Sequence, residues 1–203
     1  METTSPATQR VPLDVTRPLW DQVFTIAPIV IIGSREPDGR YNLAVKHMVT
    51  PASWENYFAF VCTVQHATYH NIVREKAFTV SYPLPSQIVT TSMTASPRCD
   101  DHSKPLIDLL PTFPAEKVDG RLLEDAYLHF ECELDRMVDD LGPNSMIIGR
   151  IVAAQALAGA QRSFEVDDHE LIGQMPLLAY LAPGRYAKIA QSYAFPFPQG
   201  IRY

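Results

Sequence analysis

The fold is indicated first by residues 26–33 (IAPIVIIG), a short apolar run rich in β-branched side chains. Such a run, bounded by turn residues, is typical of a buried β-strand. The residues that follow soon after, Glu36-Pro37-Asp38-Gly39, supply the proline and glycine that a tight turn needs. Residues 41–49 then indicate a returning strand. The segment therefore predicts a β-hairpin with a longer loop.

Further strands are predicted along the chain, with few helical segments between them. The candidates are residues 57–64, 78–82, 128–137, 145–157 and 177–189, the last with Pro183-Gly184 as a turn. Residues 128–137 (LHFECELDRM) alternate apolar and polar, as a half-solvated antiparallel strand does, and residues 139–144 join them to their partner. A helix is predicted over residues 70–77 with Thr68 as its N-cap, whereas residues 86–110 are helical or irregular. The pattern predicts a mainly β antiparallel barrel with helical insertions.

The length and charge bound the class of protein. A chain of 203 residues suits a single domain (residues 1–203), with a core at about residues 25–190, an N-terminal arm and a Phe-Pro-rich C-terminal tail that needs a surface to lie on. The net charge of −6 argues against nucleic acid or an anionic membrane as the main partner. Residues 1–10 lack the apolar stretch of a signal peptide, and no apolar run approaches the roughly 20 residues of a membrane helix.

The cysteines and the missing motifs narrow the chemistry. Cys62, Cys99 and Cys132 are odd in number and form no CxxC pair, which favours free thiols in a reducing cytoplasm, with Cys62 a buried and inert one. The chain has no GxGxxG after a strand, no GxxxxGK[ST], no GxSxG and no HExxH. His66 and His70 are four residues apart, but zinc needs further ligands, so we expect no metal site.

Two polar stretches, residues 46–50 (KHMVT) and 63–68 (TVQHAT), each follow an apolar strand. If these strands are neighbours, the two stretches lie side by side at one mouth of the barrel, where amide, hydroxyl and imidazole groups suit a planar heterocycle. The second stretch leads into a helix, whose N-terminus favours a phosphate. The pair of features therefore fits a mononucleotide. The simpler alternative is that Thr68 only caps its helix and that His66 is a solvated loop residue.

These segments resemble the flavin-reductase-like family, which includes flavoredoxins and the reductase components of two-component monooxygenases. The resemblance is carried by elements in the same order as in the family: residues 27–33 (APIVIIG), 38–44 (DGRYNLA), 48–53 (MVTPAS), 68–72 (TYHNI) with 78–81 (FTVS), 128–132 (LHFEC), 147–151 (IIGRI), and 178–181 (LAYL) with 184–186 (GRY). Asp101 and Lys104 are similar to an acidic–basic element of the family, although residues 83–110 keep its middle segment only loosely.

The resemblance implies a split β-barrel that forms a homodimer and binds FMN near the subunit interface. It also implies which residues hold the flavin: His47, Met48, Val49 and Thr50 at the ring, Ser53 nearby, Thr63, Gln65 and His66 along the ring or ribityl chain, and Thr68 at the phosphate. Asn71 is expected to be structural, bonded to backbone at the start of the helix.

The function that the resemblance implies is an FMN-dependent oxidoreductase that takes electrons from NAD(P)H and passes them to flavin or another acceptor, which includes a partner oxygenase. Hydride transfer to flavin needs no acid or base from the protein, so no catalytic residue is assigned. His47 is the leading candidate for a hydrogen bond to the flavin. Two alternatives stay open: an FMN-binding electron carrier without NAD(P)H activity, and a split barrel that binds a different small ligand.

Overall fold

The computed structural model describes residues 9–198 and 200, and the main body is an antiparallel β-sheet that curls into a half-barrel. The first eight residues of the N-terminal arm and the end of the C-terminal tail lie outside the described residues. The sheet has seven strands in the order β3-β2-β6-β9-β10-β5-β4. Their bounds are β2 Val30–Arg35, β3 Tyr41–Lys46, β4 Val49–Pro51, β5 Tyr57–Thr63, β6 Ala77–Tyr82, β9 Leu128–Leu141 and β10 Asn144–Ala156. The prediction of a mainly β split barrel is therefore confirmed.

Two smaller sheets complete the fold. Strand β1 (Thr25–Pro28) pairs with β11 (Leu177–Ala182), which pairs with β12 (Arg185–Ile189). A two-stranded ribbon joins β7 (Thr112–Pro114) to β8 (Arg121–Leu123). The helices are α1 (Ala67–Glu75), α2 (Ile88–Met93) and α3 (Asp168–Gln174), with short 3₁₀ turns at Leu19–Asp21, Pro85–Gln87, Pro105–Leu109 and Ala158–Ala160. The sequence indicated neither the ribbon nor α3. None of the helices within the described residues is long and apolar enough to span a membrane.

The predicted strand over residues 26–33 is two strands in different sheets, which corrects the prediction. Strand β1 pairs with β11 and alternates between half-buried and exposed residues, and the chain passes to β2 at Ile29. Strand β2 is buried along nearly its whole length because it is covered on both faces. Val30 and Ile32 pack into one hydrophobic cluster and Ile31 into another. A strand with two buried faces shows no alternation, so the apolar run concealed the break.

The returning strand of the hairpin is also shorter than predicted. It pairs with β2 from Tyr41 to Lys46 and ends there, and Val49 begins a separate strand, β4, on the far side of β5. Residues 47–48 therefore cross from one end of the sheet order to the other. The physical cause is closure of the half-barrel, which brings the two ends of the sheet order near each other.

The interior of the half-barrel is aromatic and tightly packed. Phe58, Phe60 and Phe78 are each 1% exposed, and the Phe60 and Phe78 rings meet edge to face at 5.4 Å. Gly149 of β10 lies against this cluster, where an added Cβ would come within 2.5 Å of the Phe78 ring. Strands β9 and β10 form a hairpin with a turn at residues 142–143, shorter than the predicted connection over 139–144.

Candidate functional site

The start of α1 is locked onto the sheet by buried polar pairs. The Asn42 side-chain amide donates to Thr68 Oγ1 at 3.0 Å, and the Asn71 amide donates to Ser34 Oγ at 3.1 Å. Both pairs are buried, which makes each hydrogen bond costly to lose. Asn71 thus has the expected structural role, although its partner is a side chain on β2 and not backbone at the start of the helix.

The helix begins at Ala67, earlier than predicted, and His66 occupies the N-cap position without a side-chain capping bond. The prediction of Thr68 as N-cap is wrong, because Thr68 lies inside the first turn with its hydroxyl turned toward Asn42. The first N–H groups of a helix have no intrahelical acceptor and carry partial positive charge. The start of α1 therefore presents backbone N–H donors to the space beside it.

What lies beside it is a cavity of about 470 Å³, here called the first cleft. Its walls are β3 (residues 42 and 44–46), the start of α1 (residues 65–68), the loop after α2 (residues 94–98) and Lys104. This volume is in the range of small-molecule and cofactor sites. Three of the predicted flavin residues line it, namely Gln65, His66 and Thr68.

The charge of the first cleft is one-sided. Lys46, Arg98 and Lys104 line it, and no aspartate or glutamate is among its lining residues in the described part of the chain. Arg98 pairs with Glu36 outside this cleft and donates to the His102 carbonyl at 2.6 Å. Burial, reinforced by the positive charges of Arg98 and Lys46, lowers the pKa of Lys104 to about 8. An anion bound here would relieve that repulsion.

Lys104 also holds the wall of the cleft. Its ammonium group donates to the Leu43 carbonyl on β3 at 3.1 Å and to the Thr94 carbonyl at the end of α2. It therefore ties the loop after α2 to the sheet. The same positive charges affect His66, whose pKa is lowered by burial first and then by Lys46 and Lys104.

The other predicted flavin residues do not line the first cleft. His47 stacks on Tyr180 of β11 with ring centroids 4.5 Å apart, and burial followed by the charge of Lys46 lowers its pKa. Met48 accepts a hydrogen bond from the Val61 N–H through its carbonyl, and Val49 and Thr50 pair with β5. The remaining two make other contacts: Ser53 Oγ accepts from the Glu55 N–H, and Thr63 Oγ1 donates to Asn144. The structure thus brings Lys46 and residues 65–68 together, while residues 47–50 and 53 run along the edge strand β4.

Some cleft residues were missed by sequence reasoning. Asn42 was quoted only as part of a motif, and residues 94–98 fall in a segment whose pattern indicated no more than helical or irregular structure. The motif containing Asn42 and the acidic–basic element containing Lys104 were the signals available. Arg98 carried no local signal, because its position at the cleft depends on how the loop after α2 folds back against β3.

The cysteines and histidines form no metal site within the described residues, where no group of three or more metal-binding side chains comes together. His70 lines a neighbouring cavity and not a shared site with His66. Cys62 is buried and its pKa is raised by burial, which agrees with the prediction of an inert thiol. All three cysteines are free.

The described residues thus form a split barrel with a cationic cleft at the start of its first helix. A family model described as the flavin reductase like domain matches residues 24–189, and the chain therefore belongs to the flavin-reductase-like family. No curated protein sequence matches the chain.

Solved structures share the fold at low sequence identity. The 2-nitrobenzoate 2-nitroreductase of Pseudomonas fluorescens is 17% identical, with 96% of this chain and 99% of that chain covered and a TM-score of 0.77. Nitrilotriacetate monooxygenase component B from Bacillus cereus is 15% identical over 93% and 100% of the two chains, with a TM-score of 0.77. Flavoredoxin of Desulfovibrio vulgaris (Miyazaki F) is 16% identical over 94% and 100%, with a TM-score of 0.75.

Proposed function

We propose that the protein binds FMN in the first cleft and acts as an oxidoreductase that takes electrons from NADH or NADPH. The observation that carries the proposal is the grouping of Lys46, Arg98 and Lys104 around a cavity without carboxylates, beside the start of α1. Membership of the flavin-reductase-like family supports a flavin, and the cleft supports an anionic form of it.

The residues present fit a flavin mononucleotide. Thr68 Oγ1 accepts from Asn42, so its own hydrogen is left to donate to a ligand oxygen. That hydroxyl, the N–H groups of the first turn, Arg98 and Lys104 would hold the phosphate, since charge-assisted donors suit phosphate oxygens. Gln65 and Lys46 offer donors to the polar edge of the remaining ligand. The ammonium groups of Lys46 and Lys104 are half-buried, and neither forms an ion pair with a carboxylate in the described part of the chain, which gives the cleft its preference for a negative ligand.

Bound FMN would supply the chemistry of accepting a hydride and releasing electrons, which protein side chains lack. The chain's contribution is binding, orientation and charge. Hydride transfer needs no acid or base from the protein, so none of the cleft residues is assigned a catalytic proton transfer. His66, with its lowered pKa, is neutral above pH 7 and serves as a hydrogen-bonding group there.

The predicted contribution of residues 47–50 and 53 to flavin binding fits a homodimer. These residues lie on or beside the edge strand β4. One of them, Met48, is 46% exposed, and the neighbouring Trp54 is 108% exposed. A second copy placed against this edge would cover both side chains and enclose a ligand reaching from the first cleft. Sedimentation at low protein concentration tests this: a monomer that binds FMN tightly would contradict the shared site.

The electron acceptor is proposed from the class of protein. Reduced flavin passed to a partner oxygenase is one role, because one structural relative is named as a component of a monooxygenase. The free cysteines also agree with a reducing compartment, the cytoplasm.

The first experiment is a visible absorption spectrum of the protein before and after FMN is added and the sample desalted. A retained oxidised-flavin band, bleached under anaerobic conditions by NADH or NADPH, is the expected result. A retained band that neither nucleotide bleaches would instead identify an electron carrier.

The exchange Lys46→Met is expected to weaken FMN binding about tenfold through loss of a charged donor, with exposed Lys117→Met as the matched control. Equal affinity in both variants would contradict the assignment of the cleft.

A further inference from the structure

Arg98 is shared between the first cleft and a carboxylate that lies outside it. Its side chain lines the first cleft, and its guanidinium forms an ion pair with Glu36 and donates to the His102 carbonyl at 2.6 Å. The Glu36 side chain is 13% exposed and the Arg98 side chain 29%. Because the pair is largely withdrawn from water, solvent screens its charges only weakly.

The backbone of the β2–β3 turn holds Glu36 in place. Its N–H donates to the Arg40 carbonyl at 2.8 Å, and its carbonyl accepts from the Gly39 N–H at 3.1 Å. Both backbone groups of Glu36 are therefore bonded within the turn. The carboxylate is a built-in neighbour of Arg98 and not a group on a free loop.

The other carboxylates near Arg98 are more exposed. Glu36, Asp38, Asp101 and Asp108 line a cavity of about 420 Å³ that adjoins the first cleft. The Asp38 side chain is 51% exposed and has its own arginine partner, and Asp101 and Asp108 are also exposed. Water screens these three charges, so Glu36 has the strongest effect on the charge of the first cleft.

The charge of Glu36 acts on two of the three cations of the first cleft. One is its partner Arg98, and the other is Lys104. Burial and the charges of Arg98 and Lys46 lower the pKa of Lys104, whereas the charge of Glu36 raises it. A bound phosphate would stabilise the same two cations. The carboxylate and a phosphate therefore compete for the same positive charge.

We propose that Glu36 is a specificity-determining residue of the first cleft: its carboxylate neutralises part of the positive charge there and so limits the preference for a phosphorylated flavin over an uncharged one. The inference rests on the proposed function and specifies it further. FMN and riboflavin separate charge from shape, because they share the ring and the ribityl chain and differ at the phosphate.

The test compares the wild type with Glu36→Gln and Glu36→Ala at pH 7. Glutamine removes the charge but keeps an oxygen that accepts from Arg98, whereas alanine also removes the hydrogen bond that ties the loop after α2 to the β2–β3 turn. The matched control is Glu133→Gln, which removes the same charge from an exposed ion pair with Arg150. Dissociation constants for FMN and riboflavin are measured by flavin fluorescence, and that for inorganic phosphate by calorimetry.

We expect Glu36→Gln to bind FMN about threefold to tenfold more tightly than the wild type, which is the size of one partly screened charge interaction. Riboflavin affinity should change by less than about twofold, and the control should leave both affinities unchanged. Glu36→Ala should shift the ratio of FMN to riboflavin affinity in the same direction. If Glu36→Gln leaves both affinities unchanged, or changes both equally, Glu36 only anchors the loop and the proposal is wrong.

Inorganic phosphate separates this inference from the proposed function. A wild type that binds neither flavin would overturn the proposed function. Tighter binding of inorganic phosphate by Glu36→Gln than by the wild type would then still support the role of Glu36, and equal binding would refute it.

Discussion

Raising the pH from 7 to 9 is expected to weaken flavin binding by removing the charge of Lys104. The ammonium group lines the first cleft and is bonded to the carbonyls of Leu43 and Thr94. Burial and the charges of Arg98 and Lys46 lower its pKa from 10.5 to about 8, and only Glu36 acts in the opposite direction. A bound phosphate raises that pKa again, because it stabilises the charged form.

The size of the effect follows from the two protonation states. Below pH 8 Lys104 is charged in the free protein, so the full affinity is available. As the pH rises through 8, a proton must be taken up on binding, and each further unit costs about 1.4 kcal/mol or a factor of about ten. Between pH 7 and pH 9 the dissociation constant is therefore expected to rise about tenfold.

The assay is a flavin fluorescence titration at pH 7, 8 and 9, with the wild type and Lys104→Arg. Arginine stays charged over this range and can still donate to both carbonyls. The arginine variant is therefore expected to show little change in affinity. His66 does not account for a step in this range, because its pKa is lowered from 6.5.

Two results would refute this reasoning. One is a wild-type dissociation constant that stays constant from pH 7 to pH 9. The other is the same tenfold rise in Lys104→Arg, which would place the titrating group elsewhere.

Three further predictions follow from particular contacts. Thr68→Ala leaves the buried Asn42 amide without its acceptor and removes a donor from the first cleft. We therefore expect a loss of about 1–3 kcal/mol in unfolding free energy together with weaker FMN binding, whereas Thr68→Ser, which keeps the hydroxyl, should retain both; equal losses in the two variants would contradict the role of the hydroxyl. Gly149→Ala is expected to lower the unfolding free energy in urea by about 1–3 kcal/mol, because the new Cβ meets the Phe78 ring at 2.5 Å, and an unchanged midpoint would show that the ring can move aside. Glu131, which is 4% exposed, accepts three hydrogen bonds from the backbone N–H groups of residues 116–118 at 2.6 to 3.1 Å. Glu131→Gln places a side-chain NH₂ group against these backbone donors and should lower the unfolding free energy by about 2–4 kcal/mol. The control, Glu133→Gln at an exposed position, should cost less than about 1 kcal/mol.

Local patterns identified most strands because a strand's residues carry their own signal. The alternation in β9 and the β-branched and aromatic composition of β5 and β6 were sufficient to place them. The patterns failed where two neighbouring strands shared one apolar run, as at Ile29, and where a strand left its sheet, as after Lys46. In both places the boundary depends on which face of the chain another segment covers, and no single window of sequence contains that information.

The candidate site divides in the same way. Gln65, His66 and Thr68 were predicted from the sequence, and the structure places them in the wall of the first cleft at the start of a helix, where an anion site has a local cause. The role of Thr68 was wrong in one respect, since its hydroxyl binds Asn42, 26 residues earlier in the chain, and does not cap the helix. Whether Gln65, His66 and Thr68 contact flavin stays a prediction, as it does for His47, Met48, Val49, Thr50, Ser53 and Thr63. The extent of the single domain is also still a prediction.

By itself the sequence determined the class of fold, the family and the presence of a helix after residues 63–68, because periodicity, turn residues and ordered motifs are properties of adjacent residues. Only the tertiary structure decided the electrostatics of the first cleft. Arg98 and Lys104 come from a segment with weak local signals, and they meet Lys46 only because the loop after α2 folds back onto β3. Charges act through space over several ångströms, so their grouping depends on the packing of distant segments and not on their order along the chain.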